Sequence, residues 1–249
     1  MPRQYIDLMH HRLGLWLSQL KKYGISIPSQ CWLCHAWPCA DVVCRGCFTR
    51  FTPFAWRCSG CALALPGLSA QQPRCGQCLK QPPVWDSASA WVDYAYPWST
   101  LITHWKFGQQ PAWARHFAPW MAQDPGLQKA IAHAHLAIPI PLSTSRLRER
   151  GYNPAAQLVQ LLCPKKMQRW ALARTRHSPA QSQLSRAQRM RNLRGAFDIS
   201  PAQRPLLEGK NILLVDDVMT TGATLTIASQ CLRQAGAAHI HVMCLARTP

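Results

Sequence analysis

Eight cysteines in four CxxC pairs, all between residues 31 and 78, constrain the fold of this chain more than any other feature. The pairs are Cys31/Cys34, Cys44/Cys47, Cys58/Cys61 and Cys75/Cys78. A tetrahedral zinc site takes two thiolates from each of two tight turns, so four pairs are enough for two ions. The gaps within the two halves, residues 35–43 and 62–74, suit two successive zinc ribbons. We therefore predict two structural Zn²⁺ ions; the spacing alone leaves the pairing open, and we favour sequential pairing.

Other uses of CxxC fit this chain less well. A disulfide framework needs an oxidising compartment, and a redox-active CxxC is usually a single pair. Cys31-Trp-Leu-Cys34-His35 also matches the covalent haem motif, but the other three pairs lack a following histidine. Because every ligand position is a thiolate, no open coordination position is left for a catalytic water. Both ions are therefore predicted to hold structure.

The segment before the cysteines, residues 1–28, is predicted to be a basic amphipathic extension, because apolar residues recur at helical spacing between Met1 and Tyr23. Its charge order does not match a secretory signal. The whole chain has 28 Lys and Arg against 10 Asp and Glu, a formal charge of +18, which favours polyanionic partners. No apolar stretch approaches the roughly 18 residues of a membrane helix. We expect a cytoplasmic protein without a transmembrane segment. The extension packs on the main body, which we favour, or lies on a partner or on a membrane surface such as the inner face of the membrane.

A module boundary is predicted at Lys80-Gln-Pro-Pro83, between the ribbons in residues 29–83 and a larger domain in residues 84–249. Strand and helix patterns alternate beyond it. The predicted strands are 88–95, 136–140 and 210–217, and the predicted helices are 98–107, 113–122 and 153–162. This order predicts an α/β domain with a largely parallel sheet and helices on both faces.

The segment that indicates chemistry is Lys210-Asn-Ile-Leu-Leu-Val-Asp-Asp217 with the loop Val218-Met-Thr-Thr-Gly-Ala-Thr224 after it. Four consecutive aliphatic residues predict a strand buried on both faces, and a helix pattern follows the loop. Backbone N–H groups at a helix start bind phosphate, and a glycine at position 222 lets the phosphate approach closely. The adjacent acids would repel a phosphate, so we expect them to face ribose hydroxyls or a magnesium ion. The alternative is an ordinary junction whose side chains only cap the helix.

The thirteen residues from Ile212 to Thr224 resemble the phosphoribosyl-pyrophosphate (PRPP) signature of type I phosphoribosyltransferases at every position. The resemblance implies a Mg²⁺-dependent PRPP site. In it the catalytic acids Asp216 and Asp217 engage the ribose hydroxyls. The residues implied for the 5′-phosphate are Thr220, Thr221, Gly222, Ala223 and Thr224. The loop Pro141–Asn153 is expected to contact pyrophosphate through Arg148, Arg150 and Gly151. The segment Arg174–Ser185 is expected to be the loop that closes over the ligand.

The whole layout from Cys31 onward resembles the ComF (GntX-like) family of competence-associated proteins, in which a double zinc ribbon precedes a phosphoribosyltransferase-like domain. Further matches are Trp105-Lys106-Phe107, Pro139-Ile-Pro-Leu142 and Arg148-Glu-Arg-Gly-Tyr-Asn153. The resemblance implies a PRPP-binding protein in the uptake or utilisation of external DNA. Single-stranded DNA and other DNA-uptake proteins are then the expected partners.

Two other functions stay open at this point. One is an active phosphoribosyltransferase on an unidentified acceptor, although no nucleobase-recognition element is apparent in the sequence. The other is a zinc-ribbon protein for single-stranded DNA that keeps only a vestigial PRPP site, against which the complete signature argues. The basic stretch from Arg146 to Arg194 is compatible with pyrophosphate contacts, with a DNA track and with a solvated basic face.

Overall fold

A computed structural model of the protein describes residues 28–69, 71–175 and 195–249. The predicted amino-terminal helix, and the predicted closing loop beyond Thr175, lie outside the described residues. The chain divides into two compact units, Met1–Pro53 and Phe54–Pro249. The first four cysteines of the CxxC series therefore belong to the smaller unit and the last four to the larger one. The predicted module boundary at residue 83 stays a prediction.

The smaller unit has little secondary structure in its described part. Ser29 and Cys39 form an antiparallel bridge, with N–H···O distances of 2.8 and 2.7 Å. One short helix, α1 (Arg45–Phe51), begins where the Cys44 sulfur accepts a hydrogen bond from the Cys47 amide. The buried apolar side chains of the described part are Cys31, Cys39, Val43 and Cys47. Because three of these four are cysteines, apolar burial in the described residues 28–53 is small, and a metal bound to the cysteines would add to what holds them together.

The larger unit is built around a four-stranded parallel sheet. Its strands and helices, in chain order, are α2 (Gly76–Lys80), β1 (Ser87–Asp93), α3 (Trp98–Phe107), α4 (Ala114–Met121), α5 (Pro125–His133), β2 (Leu136–Pro139), α6 (Thr144–Arg150), α7 (Pro154–Leu162), β3 (Ala173–Arg174), β4 (Phe197–Asp198), α8 (Arg204–Leu207), β5 (Asn211–Met219), α9 (Ala223–Gln234) and β6 (His239–Arg247). Short 3₁₀ turns lie at Pro111–Trp113, Pro164–Lys166 and Pro201–Gln203. The sheet order is β1-β6-β5-β2, and β3 and β4 form a separate antiparallel pair.

The central strand β5 is buried on both faces, because Ile212 to Val215 are each at most 1% exposed. Ile212 and Leu214 pack in one cluster with Leu225 and other residues of α9. Side chains alternate along a strand, so residues 213 and 215 face the opposite side, where α5 and α7 contact the sheet. The predicted parallel α/β sheet with flanking helices is confirmed.

One predicted loop is wrong: Pro141–Asn153 contains the helix α6 instead of an open loop. Ser143 caps this helix by accepting a hydrogen bond from the Arg146 amide. Gly151 ends it in the left-handed conformation, with φ of 80°. The sequence gives no helical periodicity here because no residue of α6 is buried. The helix α5 was not predicted either; Asp124 caps it by accepting from the Leu127 amide at 2.9 Å.

Candidate functional site

A cavity of about 250 Å³ lies at the carboxyl end of β5. It is lined by Arg146, Arg174, Asp216, Val218, Met219, Thr220, Thr221, Gly222, Ala223, Thr224 and Leu225. Ligands of open parallel sheets bind at this edge of the sheet, beyond the carboxyl ends of the strands. The structure thus brings one predicted acid and the whole predicted phosphate loop to a single cavity.

The loop between β5 and α9 is shaped by Gly222, whose φ of 73° is the left-handed conformation that favours glycine. A Cβ at this position would lie 3.1 Å from the Trp85 ring, so a side chain would also meet a buried neighbour. The Thr221 hydroxyl accepts from the Ala223 amide at 3.4 Å, and Thr226 donates to the Gly222 carbonyl at 2.9 Å. The loop therefore leads directly into the first turn of α9, where helix geometry favours an anion.

The two predicted catalytic acids point to different surroundings. Asp216 lines the cavity. Asp217 is 8% exposed, and its Oδ1 atom lies 2.9 Å from the Lys106 ammonium nitrogen. Its Oδ2 atom lies 3.9 Å from Nη1 of Arg150. Successive strand residues face opposite sides, which explains why adjacent carboxylates have different partners.

The carboxyl group of Asp216 binds protons unusually well. Burial and the neighbouring charge of Asp217 raise the pKa of Asp216 to about 7, against the opposing effect of Lys106 and Arg174. A carboxyl group with such a pKa is half ionised near neutral pH. A cation or a hydrogen-bonding hydroxyl beside it would favour the ionised form.

Two arginines give the cavity its positive side. Burial and the nearby charge of Arg146 lower the pKa of Arg174, while Asp216 acts in the opposite direction. Arg174 belongs to β3, and its guanidinium carbon lies 5.6 Å from the centre of the Phe197 ring on β4. Two neighbouring guanidinium groups repel each other, so an anion between them would be stabilising.

The three residues predicted to contact pyrophosphate have different surroundings, because α6 directs them to different places. Arg150 reaches Asp217, whereas Arg148 is exposed and Gly151 forms the end of the helix. Arg146, which the sequence analysis did not single out, lines the cavity instead. Residues four apart share a helix face, so a helical interpretation of this segment would have grouped Arg146 with Arg150.

Lys106 is the second residue beside the predicted site acids for which the sequence analysis predicted no role, although it lies in a sequence motif quoted for the family resemblance. The Trp105 indole N–H donates to Gln157 Oε1 on α7 at 3.0 Å, and the Trp105 carbonyl accepts from the Tyr152 hydroxyl. Two of the motifs therefore meet in space and position Lys106 at Asp217.

The cysteines form two tetrads, Cys31, Cys34, Cys44 and Cys47 (the first tetrad) and Cys58, Cys61, Cys75 and Cys78 (the second tetrad). Within each tetrad all four sulfur atoms lie within 4.8 Å of one another. This is the sequential arrangement that the sequence analysis favoured. Sulfur atoms bound to zinc at about 2.3 Å are about 3.8 Å apart in a tetrahedron. The Cys34–Cys44 and Cys61–Cys75 sulfur pairs are 3.6 and 3.8 Å apart, so both tetrads fit such an ion.

In each tetrad, backbone amides donate hydrogen bonds to one sulfur atom and so favour its thiolate form. Cys31 Sγ accepts from the amides of Leu33 and Cys44, at 3.5 and 3.3 Å. Burial raises the pKa of this thiol, but the backbone hydrogen bonds outweigh burial and lower the pKa to about 6. Cys58 has the same pattern, and its pKa is lowered to about 7. Stabilised thiolates are the form that binds metal.

Comparison with known proteins gives the same outline. The phosphoribosyl transferase domain family matches residues 147–249. DNA utilization protein YhgH of Escherichia coli is 33% identical over 243 residues, which are 90% of this chain and 99% of the relative. Competence protein F of Haemophilus influenzae is 33% identical over 216 residues, 82% of this chain and 90% of the relative. Competence protein ComFC of Bacillus subtilis is 38% identical over 101 residues, 41% of this chain and 39% of the relative.

Proposed function

Because the chain belongs to the ComF family of competence and DNA-utilisation proteins, we propose that it binds Mg²⁺ and PRPP in the cavity beside β5 and acts in the uptake or utilisation of external DNA. The observation that carries the proposal is the composition of this cavity. One acid, a hydroxyl-rich loop with a glycine, a helix amino terminus and two arginines surround a volume of about 250 Å³. These groups match a sugar that carries phosphates at both ends.

The 5′-phosphate is placed in the loop Thr220–Thr224. The loop offers hydroxyl donors and the first turn of α9, and Gly222 leaves room for close approach to the backbone. This arrangement supports binding of a phosphate monoester without any lysine in the loop.

The pyrophosphate and Mg²⁺ are placed on the arginine side of the cavity. Arg146 and Arg174 would neutralise the diphosphate charge, and Arg150, on the same face of α6 as Arg146, would lie behind them. Gly151 closes this helix, and Arg148 would contribute only from the exposed rim. Mg²⁺ keeps several waters and is bound through a carboxylate together with substrate phosphates, a role that suits Asp216.

The two acids have different proposed roles. Asp216 would contact ribose and the magnesium shell directly, since it lines the cavity. Asp217 would engage the ribose only by exchanging its contact with Lys106, which is 2.9 Å away. If the contact with Lys106 persists when the ligand binds, Asp217 would instead hold the Lys106 ammonium group at the edge of the site.

Transfer of the phosphoribosyl group is a second candidate function. Mg²⁺-pyrophosphate would leave the anomeric carbon of PRPP, and a nitrogen nucleophile of the acceptor would attack it. The Phe107 ring favours this candidate, because it is 67% exposed and lies 5.0 Å from the Arg150 guanidinium carbon. An exposed ring beside the site can stack on an acceptor base. Pyrophosphate release from PRPP in the presence of nucleobases and nucleic-acid acceptors would test this candidate.

Single-stranded DNA is the proposed macromolecular partner, together with other DNA-uptake proteins. Aromatic side chains on which bases can stack are exposed in both units; Trp37 is 64% exposed and Trp170 is 79% exposed. The Arg169 guanidinium carbon lies 6.0 Å from the Trp170 ring centre. With a chain charge of +18, binding should weaken steeply as salt is raised.

The proposed place of action is the cytoplasm, at the inner face of the membrane where incoming DNA arrives. Eight thiols that are to hold metal need a reducing compartment, which supports this location. Among the described residues, no helix is both long enough and apolar enough to cross a membrane.

Calorimetric titration of the zinc-loaded chain with PRPP, with and without Mg²⁺, tests the proposed site. We expect saturable binding that weakens without Mg²⁺ and is lost in Asp216→Asn. The matched control is Glu208→Gln, an exposed carboxyl-to-amide change before the amino end of β5. Equal affinities of the wild type and Asp216→Asn would contradict the assignment.

A further inference from the structure

Three consecutive carbonyl groups in one turn of the second tetrad accept hydrogen bonds, two of them from the sheet strands β1 and β6 and one from Trp85, which lies just before β1. The turn is Cys58-Ser59-Gly60-Cys61. The donor–acceptor pairs are Ala88 N to Ser59 O at 2.7 Å, Trp85 Nε1 to Gly60 O at 2.6 Å, and Arg247 Nε to Cys61 O at 2.9 Å. A metal ion bound by Cys58 and Cys61 would fix the direction of these carbonyls, because it fixes both ends of the turn.

Trp85 connects this turn to the phosphate loop. Its ring is 6% exposed, and a Cβ added to Gly222 would lie 3.1 Å from the ring atom Cη2. The indole N–H is bound to Gly60 on the turn, so the position of the ring follows the position of the turn. The ring therefore forms the support against which Gly222 packs.

Arg247 makes a second and shorter connection. While its Nε atom binds the Cys61 carbonyl, its Nη1 atom donates to the carbonyls of Met219 and Thr220, at 3.2 and 2.6 Å. The same nitrogen also donates to the Thr248 carbonyl. One guanidinium group thus joins the turn at Cys61 to the last residue of β5 and the first residue of the phosphate loop, Thr220–Thr224.

We propose that metal binding at the second tetrad positions the phosphate loop, with Arg247 and Trp85 as positioning residues, so that metal and phosphate ligand bind cooperatively. The part that concerns PRPP rests on the proposed function. Loss of the metal lets the turn relax, and both residues then lose the acceptors that hold them against the loop. Coupling between two sites is reciprocal. If bound metal raises the affinity for PRPP by some factor, bound PRPP must raise the affinity for the metal by the same factor.

The first test measures how well the amides of the phosphate loop are protected from exchange when no PRPP is present. Hydrogen exchange of the amides of residues 219–225 is compared in the zinc-loaded wild type, Arg247→Met and Arg247→Lys, with zinc content measured on each sample. Arg247→Met keeps the length of the side chain but removes all its donors. We expect about tenfold faster exchange in Arg247→Met at unchanged zinc content. Arg247→Lys, which keeps one charged donor, should restore part of the protection. Unchanged exchange in Arg247→Met would overturn the inference.

The second test measures reciprocity in the full chain with Cys31→Ser and Cys34→Ser, which leaves the second tetrad as its zinc site. Zinc affinity, measured at equilibrium by competition with a chelator, should rise about tenfold with saturating Mg²⁺-PRPP. The rise should disappear when Arg247→Met is added. If PRPP binds but does not alter zinc affinity, the coupling is wrong and the PRPP site stands. If PRPP does not bind the wild type, the proposed function fails, and the exchange experiment still decides whether the turn positions the loop.

Discussion

In residues 28–53, the described part of the smaller unit, the first tetrad lies among very few other buried side chains, whereas in the larger unit the second tetrad is hydrogen-bonded to a buried sheet. The chemistry of the two is alike: CxxC turns, four sulfur atoms within 4.8 Å, and backbone amides that donate to the first sulfur. The surroundings are not alike. Val43 is the only non-cysteine among the buried apolar residues in the described part of the smaller unit. Ala62, next to the second tetrad, belongs instead to the same cluster as Leu214.

This difference teaches that one sequence motif can stabilise a protein in two ways. At the first tetrad a metal would substitute for the apolar core that the described part of the smaller unit lacks. At the second tetrad a core already exists, and by our proposal a metal would fix the turn to which Trp85 and Arg247 donate hydrogen bonds. The following predictions test that distinction.

The largest difference is expected when one metal-binding turn is removed from each tetrad. Cys58→Ser with Cys61→Ser should destabilise the larger unit by about 3 kcal/mol, from three hydrogen bonds at about 1 kcal/mol each. For a unit of this size the loss corresponds to a melting point lower by about 6–12 °C. Calorimetric unfolding and zinc content measure both effects.

The matched change, Cys31→Ser with Cys34→Ser, should remove one zinc and unfold the smaller unit without shifting the transition of the larger one. Equal shifts of the larger transition in the two variants would refute the distinction. An unchanged metal-to-protein ratio would show that these cysteines are not ligands.

The second prediction uses the ligand instead of the metal. At a PRPP concentration about 100 times its dissociation constant, with Mg²⁺ present, the larger unit should gain about 2.7 kcal/mol. The smaller unit should gain nothing, since all residues of the proposed site belong to Phe54–Pro249. Hydrogen exchange followed separately in residues 28–53 and 54–249 distinguishes the units. Added protection in the first range would contradict the prediction.

The parts of this molecule that could be predicted from the sequence are those in which neighbours along the chain determine the structure. Ile212 to Val215 form a buried strand because four consecutive aliphatic residues leave no polar face. The eight cysteines could be assigned to two tetrahedral sites because two CxxC turns are enough for one site, although the spacing left open which turns pair.

The rest depends on contacts between distant residues. That the second tetrad belongs to the larger unit follows from hydrogen bonds between the turn at Cys61 and residues as far away as Arg247. The helix α6 was missed because it buries no side chain, and with it the place of Arg146 in the cavity. The different surroundings of Asp216 and Asp217 depend on Lys106, which is 111 positions from Asp217 in sequence.

A third prediction uses pH to distinguish ligand binding in the cavity from metal binding at the two tetrads. Burial and Asp217 raise the pKa of Asp216 to about 7, so a proton competes with Mg²⁺-PRPP below that pH. Affinity should rise about fivefold from pH 6 to pH 7 and about twofold more by pH 8, where it levels off. Zinc content measured on the same samples should stay constant. A parallel loss of zinc at pH 6 would assign the pH effect to the thiolates instead.

The same carboxyl group sets the sign of a stability effect. Its folded pKa lies above the ordinary value of about 3.9, so the folded state binds the proton more tightly than the unfolded state. Its contribution to stability is present at low pH and is lost as the pH rises towards 7. Asp216→Asn should therefore make the larger unit more stable than the wild type at pH 8, which calorimetric unfolding measures.

The smallest expected effect compares one tryptophan from each region. Trp85→Phe keeps a ring in the buried site but removes the N–H that donates to Gly60, so the larger unit should lose about 1 kcal/mol. Trp37→Phe changes a side chain that is 64% exposed, and should alter stability by no more than about 0.5 kcal/mol. If the indole N–H acts only by stabilising the fold, PRPP affinity is the same in Trp85→Phe and the wild type. If the turn positions the phosphate loop, affinity falls as well, because Gly222 packs against the ring that this hydrogen bond holds.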